Sequence, residues 1–280
     1  IKILSDVEFT LNGIYSTMQS SDAYSGRLVY YGDVTGDDMQ AVSSTKRVAN
    51  YYRFNFTKDD NPSSHWSYLY SIIQNCNLIL MNIDKLVIDE DDKAYRDDLK
   101  GEALAIRGLA LFDLTRIFGY PYLKDDGASL GVPIIEGLST IDSKPTRNTV
   151  AQCYTKIIDD LTQSLSLLGE KFNKGKINKW GAMVLLSRVY LYKGENANAL
   201  KMASDAIIGA EKNKYALWTN EDYPTAWGED ASASKPGEVL FEIVNLTTDS
   251  PGKESMGYLN SYDGYDDMCI TCSFYQFLKE

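Results

Sequence analysis

KGEALAIRGLALFDLTRIFGYPY, residues 100–122, is a helix sequence that stops abruptly at a Gly-Tyr-Pro-Tyr turn. Ala103, Ile106, Ala110, Leu114 and Ile117 recur every three or four positions, which places them on one stripe of an amphipathic helix. That stripe must be buried. Small residues at Ala103, Ala105, Gly108 and Ala110 allow a second helix to approach closely, and Gly119 with Pro121 supplies the stop expected past a helix end.

The same pattern returns downstream, after a loop containing Pro133 and Pro145. Thr149–Leu168 opens with a capping box, Thr149 with Gln152, and places Val150, Cys153, Ile157, Leu161, Leu165 and Leu168 on one face. Asn178 caps a further helix with Ala182, Leu185, Leu186, Val189 and Tyr190 inward; Gly194 ends it and residues 196–210 form its return partner. This pair has the spacing of a tetratricopeptide unit, and stacking of such pairs makes a continuous core. The expected fold is mainly α: tetratricopeptide-like stacked helix pairs with a loop-rich ligand-binding region.

Residues elsewhere fill in this frame. Ser5-x-x-Glu8 is a capping box for a first helix with Phe9, Ile14 and Met18 as apolar positions, and Trp66, Leu69, Tyr70, Ile73, Asn77 and Leu80 share one face of another. Between them, residues 20–62 lose periodicity while Tyr24, Tyr30, Tyr31, Tyr51 and Tyr52 alternate with Gly, Asp and Ser, a long irregular region of the functional kind. The acidic run 89–92 reads as a solvated helix start. After residue 213 the sequence turns to loops carrying Trp218, Tyr223, Trp227, Tyr258, Tyr262 and Tyr265, with one apolar run, Val239–Val244, short enough to be a buried strand. The chain therefore divides into a helical scaffold over 1–213 and a loop-rich part of the ligand-binding region over 214–280.

Four blocks in order resemble the SusD/RagB-like glycan-capture proteins of bacterial outer membranes. They are Trp66-x-x-x-Tyr70-x-x-Ile73-x-x-x-Asn77; Glu102 and Arg107 followed by Phe118-Gly119-x-Pro121; Leu186-x-Arg188-x-Tyr190-Leu191-Tyr192-x-Gly194; and Glu238-Val239-Leu240-Phe241-Glu242-Ile243. Each block is weak alone; their order and spacing make the match specific. The resemblance implies capture of an oligo- or polysaccharide without catalysis, and docking on a TonB-dependent, SusC-like transporter. It also implies an outer-membrane, cell-surface lipoprotein whose lipidated cysteine would lie near the amino terminus. The first cysteine here is Cys76, so the expectation is that this chain lacks the anchor, that any export signal has been removed, and that a carboxy-terminal part of the binding face is missing.

Composition agrees. With 44% hydrophobic residues in 280 positions the chain can bury a sizeable core. Its 28 Lys and Arg against 39 Asp and Glu give a net charge of −11, which repels nucleic acid and anionic lipid headgroups. No run approaches the roughly 20 apolar residues of a membrane span.

The 20 Tyr and 4 Trp, many of them off the helical stripes, carry the functional reading. A sugar ring has an apolar C–H face and a rim of hydroxyls, so an aromatic platform can desolvate the face while polar groups bond the rim. Tyr51, Tyr52 and Arg53 before the Trp66 helix, and Tyr258, Tyr262 and Tyr265 after the apolar run, are the ligand-binding candidates. Trp66 and Trp180 are assigned to packing, and Trp218, Tyr223 and Trp227 rank second. The alternatives are a helical scaffold that binds a peptide or protein and, behind it, a glycoside hydrolase, because paired carboxylates are defined by separation in space.

Other chemistry has little support. The single histidine, His65, excludes a two-histidine metal motif, and no G-x-S-x-G accompanies it. Ser43-x-x-Lys46 lacks the partner motifs of an acylating serine. Cys269-x-x-Cys272 has no second ligand pair, so a local disulfide or free thiols are expected. The clusters Asp33/Asp37/Asp38, Asp59/Asp60/Asn61 and Asp263/Asp266/Asp267 lack calcium-loop spacing and read as solvated turns. No metal or cofactor is expected.

Overall fold

The computed structural model describes residues 1–279 except 58–62, 141, 174, 227–236 and 247. Eleven α-helices and one two-stranded ribbon occur among the described residues. In chain order they are α1 (Leu4–Met18), α2 (Arg27–Val34), β1 (Met39–Ala41), α3 (Ala49–Tyr52), α4 (Ser63–Asn82), α5 (Lys93–Phe118), α6 (Val150–Leu167), α7 (Lys179–Lys193), α8 (Asn196–Lys212), α9 (Tyr223–Ala226), α10 (Met256–Asn260), β2 (Met268–Ile270) and α11 (Cys272–Phe277). Two compact units form: one from 1–14 with 69–244, the other from 15–68 with 245–280. This grouping is not a linear cut near residue 213, because β1 pairs antiparallel with β2, Met39 opposite Ile270 and Ala41 opposite Met268.

In the first unit, α5 packs against α6, α6 against α7, and α7 against α8, the stacked pairs expected from the sequence. The centre is α5. It begins at Lys93, seven residues before the quoted stretch, and every residue from Gly101 to Thr115 is buried. It is therefore a central helix with no free face, where the periodic stripe had suggested an amphipathic one. The small residues explain how it is enclosed. A Cβ on Gly101 would lie 2.8 Å from Leu168 Cγ, and one on Gly108 3.0 Å from Leu161 Cγ. Glycines at these two positions let α6 lie close along α5.

Capping follows the sequence at two starts and departs from it at a third. Thr149 and Gln152 form the reciprocal box on α6, and Asn178 accepts from the Trp180 and Gly181 amides on α7. On α1 the Asp6 carboxylate accepts from the Lys2 and Ile3 amides, at 2.7 and 3.3 Å, and Ser5 lies inside the first turn. The buried positions there are Val7, Leu11, Ile14 and Met18, whereas Phe9 is exposed. Gly194 ends α7 in the left-handed region, φ 83°, as a C′ glycine does. Gly119 ends α5 with extended backbone, and its reason is space: a Cβ would sit 2.7 Å from the Thr115 carbonyl.

One side-chain cluster explains part of the Asn77 and Arg107 blocks. Arg107 donates to both Asp160 oxygens, at 2.8 and 2.6 Å, and to Asn77 Oδ1 at 2.8 Å. Asn77 in turn donates to the Ile135 and Gly137 carbonyls at 2.7 and 3.0 Å, fastening the α5–α6 loop to α4. Lys156 adds a second cation 3.2 Å from Asp160.

Val239–Val244 is not a strand. The segment is irregular and half-buried, with Leu240 packed on the Trp180 and Met183 cluster and Phe241 beside Gly181. An apolar run that lies against a helix hairpin has the same composition as a buried strand, so composition alone does not separate the two.

Candidate functional site

The region 20–62 is more ordered than its lost periodicity suggested. Tyr30 and Val34, four apart on α2, are buried with Val48, Tyr51, Leu259 and Met268 in a second small core. Burial pushes the Tyr30 phenol up to about 12. The tyrosines here are partly structural, and a helical i, i+4 pair hidden among Gly and Asp was the missed signal.

Tyr51 belongs to that core. It is 8% exposed, on the short helix α3 and not in a loop, with its ring 5.5 Å edge-on from Tyr31 and 5.8 Å from Phe56. It anchors the outward residues around it. Tyr52 is 39% exposed and Phe54 64%, Arg53 is exposed, and Phe54 has φ 52°, which turns the chain out of α3. Phe54, missed in the sequence, adds an exposed ring beside the predicted Tyr52 and Arg53. Its left-handed backbone left no trace in the side-chain pattern.

Tyr258, Tyr262 and Tyr265 lie on and after α10. Tyr258 is half-buried on the helix itself, which Ser255 caps through the Tyr258 amide, so it is not a loop residue. Its carbonyl accepts from the Tyr265 amide at 2.9 Å, closing the intervening turn. Gly264 makes that closure possible, since a Cβ there would meet the Tyr258 carbonyl oxygen at 1.9 Å. Tyr262, inside the closed turn, is 90% exposed.

Arg47, also missed in the sequence, braces this turn. Its guanidinium carbon lies 3.9 Å from the Tyr265 ring centroid, and Nε and Nη2 donate to the buried Asp267 carboxylate at 3.0 and 2.9 Å. Nη1 reaches Glu254 at 3.5 Å, and Tyr258 meets Tyr265 edge-on at 5.2 Å. Lys46 donates to the Tyr265 carbonyl at 2.5 Å. Tyr262 thus projects from a backbone fixed on both sides, while Tyr265, 38% exposed, has one ring face covered by Arg47. Both aromatic groups rest on one small core, because Tyr51, Leu259 and Met268 share it.

The remaining sequence candidates are placed as follows. Trp180 is buried, as assigned, and Trp218 packs edge-on against Tyr223, rings 6.1 Å apart. Trp227 and the Asp59/Asp60/Asn61 cluster lie outside the described residues. Among the described residues no three His, Cys, Asp or Glu side chains are placed to hold a metal ion, and Asp267 is engaged by Arg47. Cys269 and Cys272 are free thiols. An apolar hollow of about 240 Å³ between α7, α8 and the 215–217 and 238–240 segments has Val184, Ile207, Tyr215 and Leu217 in its lining.

His65 is fully buried, its Nδ1 3.0 Å from the Asp22 carbonyl and its ring edge-on to Tyr31, so it is closed off from any substrate. Desolvation by burial holds its pKa below the ordinary value of 6.5. The unfolded chain then takes up the proton first. His65's contribution to stability is whole above about pH 6.5 and falls away as pH drops through the lower folded value. Urea unfolding between about pH 7.5 and 5.5 is expected to lose stability by up to ~1.4 kcal/mol per pH unit, with that slope removed in His65→Phe.

One unit is a tetratricopeptide-like helical stack, and the other exposes aromatic rings on and beside two short helices, α3 and α10, and a closed turn. The sequence model of the SusD-like family, described as starch-binding and associating with the outer membrane, matches residues 3–191, and the chain belongs to that family. It is 82% identical to a crystallised candidate sugar-binding protein of Bacteroides vulgatus, with a TM-score of 0.97 over 100% of this chain and 62% of that one. A SusD superfamily protein of the same organism is 38% identical, with a TM-score of 0.92 over 100% of this chain and 63% of that one. A SusD-like protein of Bacteroides ovatus is 28% identical over 135 residues, 48% of this chain and 23% of that protein. The chain thus spans less than two thirds of the length of these relatives.

Proposed function

We propose that the protein captures an oligo- or polysaccharide at the cell surface and delivers it to a SusC-like, TonB-dependent transporter without cleaving it. The observation that carries this reading is Tyr262, a ring 90% exposed on a turn that Gly264, Arg47 and the Tyr258 carbonyl hold rigid. A fixed, wet aromatic is wasteful for packing and suited to the apolar face of a sugar, since no ordering entropy is lost when the ligand lands. Tyr52, Arg53, Tyr258 and Tyr265 complete the proposed face, with Tyr51 beneath it as anchor. The family description, starch-binding and associating with the outer membrane, supports the glycan and the location; attachment by a lipid anchor is part of the proposal.

Calorimetric titration across a panel of oligosaccharides tests this. Tyr262→Ala is expected to weaken binding roughly tenfold, about 1.4 kcal/mol, with an unchanged unfolding midpoint because the ring contributes nothing to the core. Equal affinity in the variant removes Tyr262 from the site. Shortened oligosaccharides after incubation contradict the non-catalytic part.

A further inference from the structure

Of the eight arginines in the chain, six have their guanidinium engaged. Five pair with carboxylates, and Arg147 donates to three backbone carbonyls. Arg53 and Arg188 are exposed and, among the described residues, neither has a hydrogen-bond or ion-pair partner. Their settings differ. Arg188 stands on α7 in the helical stack, where the Tyr192 ring, one turn on, is packed edge-on against Phe112 and faced by the Arg116 guanidinium. Arg53 stands between two exposed rings, Tyr52 and Phe54, with Phe56 37% exposed beyond them.

The backbone under Arg53 is fixed. The amides of Tyr52, Arg53, Phe54 and Asn55 donate to the Val48, Ala49, Tyr51 and Asn50 carbonyls, at 3.0, 3.1, 3.0 and 2.9 Å. Val48, Ala49 and Tyr51 are buried, so the turn is tied down and its outward side chains start from a set position. A guanidinium with no protein partner has its whole planar fork of N–H donors available, and that fork matches two oxygens of a carboxylate or a sulfate. Rings on either side exclude water from an anion seated there and so strengthen its attraction to the charge. The second unit carries seven Lys and Arg against twelve Asp and Glu, but this acidic excess acts through solvent and fades over about 8 Å at physiological salt. At contact distance the near charge dominates.

We infer that the Tyr52–Arg53–Phe54 turn is a subsite for an anionic substituent of the captured glycan, a uronate carboxylate or a sulfate ester. Arg53 grips the anion, and the flanking rings take the sugar that bears it. The inference rests on the glycan reading above and carries it to a ligand class outside starch.

Calorimetric titration with matched pairs tests it. One arm sets oligogalacturonate against its methyl-esterified form, the other a sulfated galactan oligosaccharide against its desulfated form, so that carboxylate and sulfate are told apart. In at least one pair the charged member is expected to bind roughly tenfold more tightly than its neutral counterpart. Arg53→Gln is expected to bring the two members of that pair within about twofold of each other, and Arg53→Lys to keep part of the preference, since an ammonium retains the charge but not the fork. Arg188→Gln removes the same charge from the other unit and is expected to leave the preference whole. Charged members that bind no better than their neutral counterparts in both arms overturn the inference while leaving glycan capture intact. A preference that survives Arg53→Gln, or that Arg188→Gln erases equally, overturns its assignment to this turn. Binding of no member of either pair, nor of neutral gluco-, manno- or xylo-oligosaccharides, overturns the glycan reading and the inference together.

Discussion

Asp160→Ala is expected to lower the unfolding free energy by about 3–5 kcal/mol, the usual cost of leaving a buried charge without its partner. Asp160 is fully buried and holds the Arg107 guanidinium through two hydrogen bonds, with the Lys156 ammonium 3.2 Å away. Removing the carboxylate leaves the buried Arg107 guanidinium without its anion, while Lys156 keeps Glu136 at 2.7 Å, and Asn77, which Arg107 orients, is less firmly held on the Ile135 and Gly137 carbonyls. The damage should therefore reach the α5–α6 loop as well as the helix pair. Replacing both partners, Arg107→Met with Asp160→Leu, should cost less than the single change, because an apolar pair of similar volume needs no desolvated charge. Urea unfolding monitored by circular dichroism measures both. A loss under about 1 kcal/mol in Asp160→Ala would mean that water reaches the pair and screens it.

Gly209→Ala is the second large effect. A Cβ at Gly209 would lie 2.0 Å from Trp180 Cζ3 and 2.2 Å from Cη2, and Trp180 is enclosed by Met183, Ala206, Ala210 and Tyr215. The overlap is too deep for a small adjustment, so either the ring shifts toward the hollow that Trp180 and Gly209 line or α8 lifts off α7, at a cost of about 1–3 kcal/mol. Adding Trp180→Phe, which removes the outer benzo atoms, should recover part of that loss. The same chemical change at Gly32, inside α2 with nothing within 4 Å of a Cβ, should instead stabilise by roughly 0.5–1 kcal/mol. Thermal unfolding of the two alanine variants should give midpoint shifts of opposite sign; a fall in both would show that helix propensity and crowding are not the governing terms.

The helical stack was legible because its signals are local and periodic. Capping at Thr149 and Asn178, the Gly194 terminator and the small residues of α5 each state a backbone or packing requirement within one or two turns of chain. The burial of α5 on all faces was not legible, since the leucines, alanines and glycines between stripe positions are compatible with either a half-buried or an enclosed helix. Tyr52, Arg53, Tyr262 and Tyr265 are outward as the sequence suggested, whereas Tyr51 is buried in a core shared with Met268 of β2 and Tyr258 is half-buried on α10, depths that no local pattern records. Arg47 was missed for the same reason. Its ring and carboxylate partners lie more than 200 positions away and are adjacent to it only in the folded chain.

The β1–β2 ribbon has a consequence for how the protein is made. Gln40 and Cys269, facing each other across it, are 229 positions apart, whereas α5 to α8 pair with their successors. On a ribosome the hairpin stack can close as soon as each return helix emerges, but β1 must wait for nearly the whole intervening length of chain. Until then the apolar side chains of 30–51 are without their late-arriving cover, and that interval is when the nascent polypeptide is most in need of a chaperone.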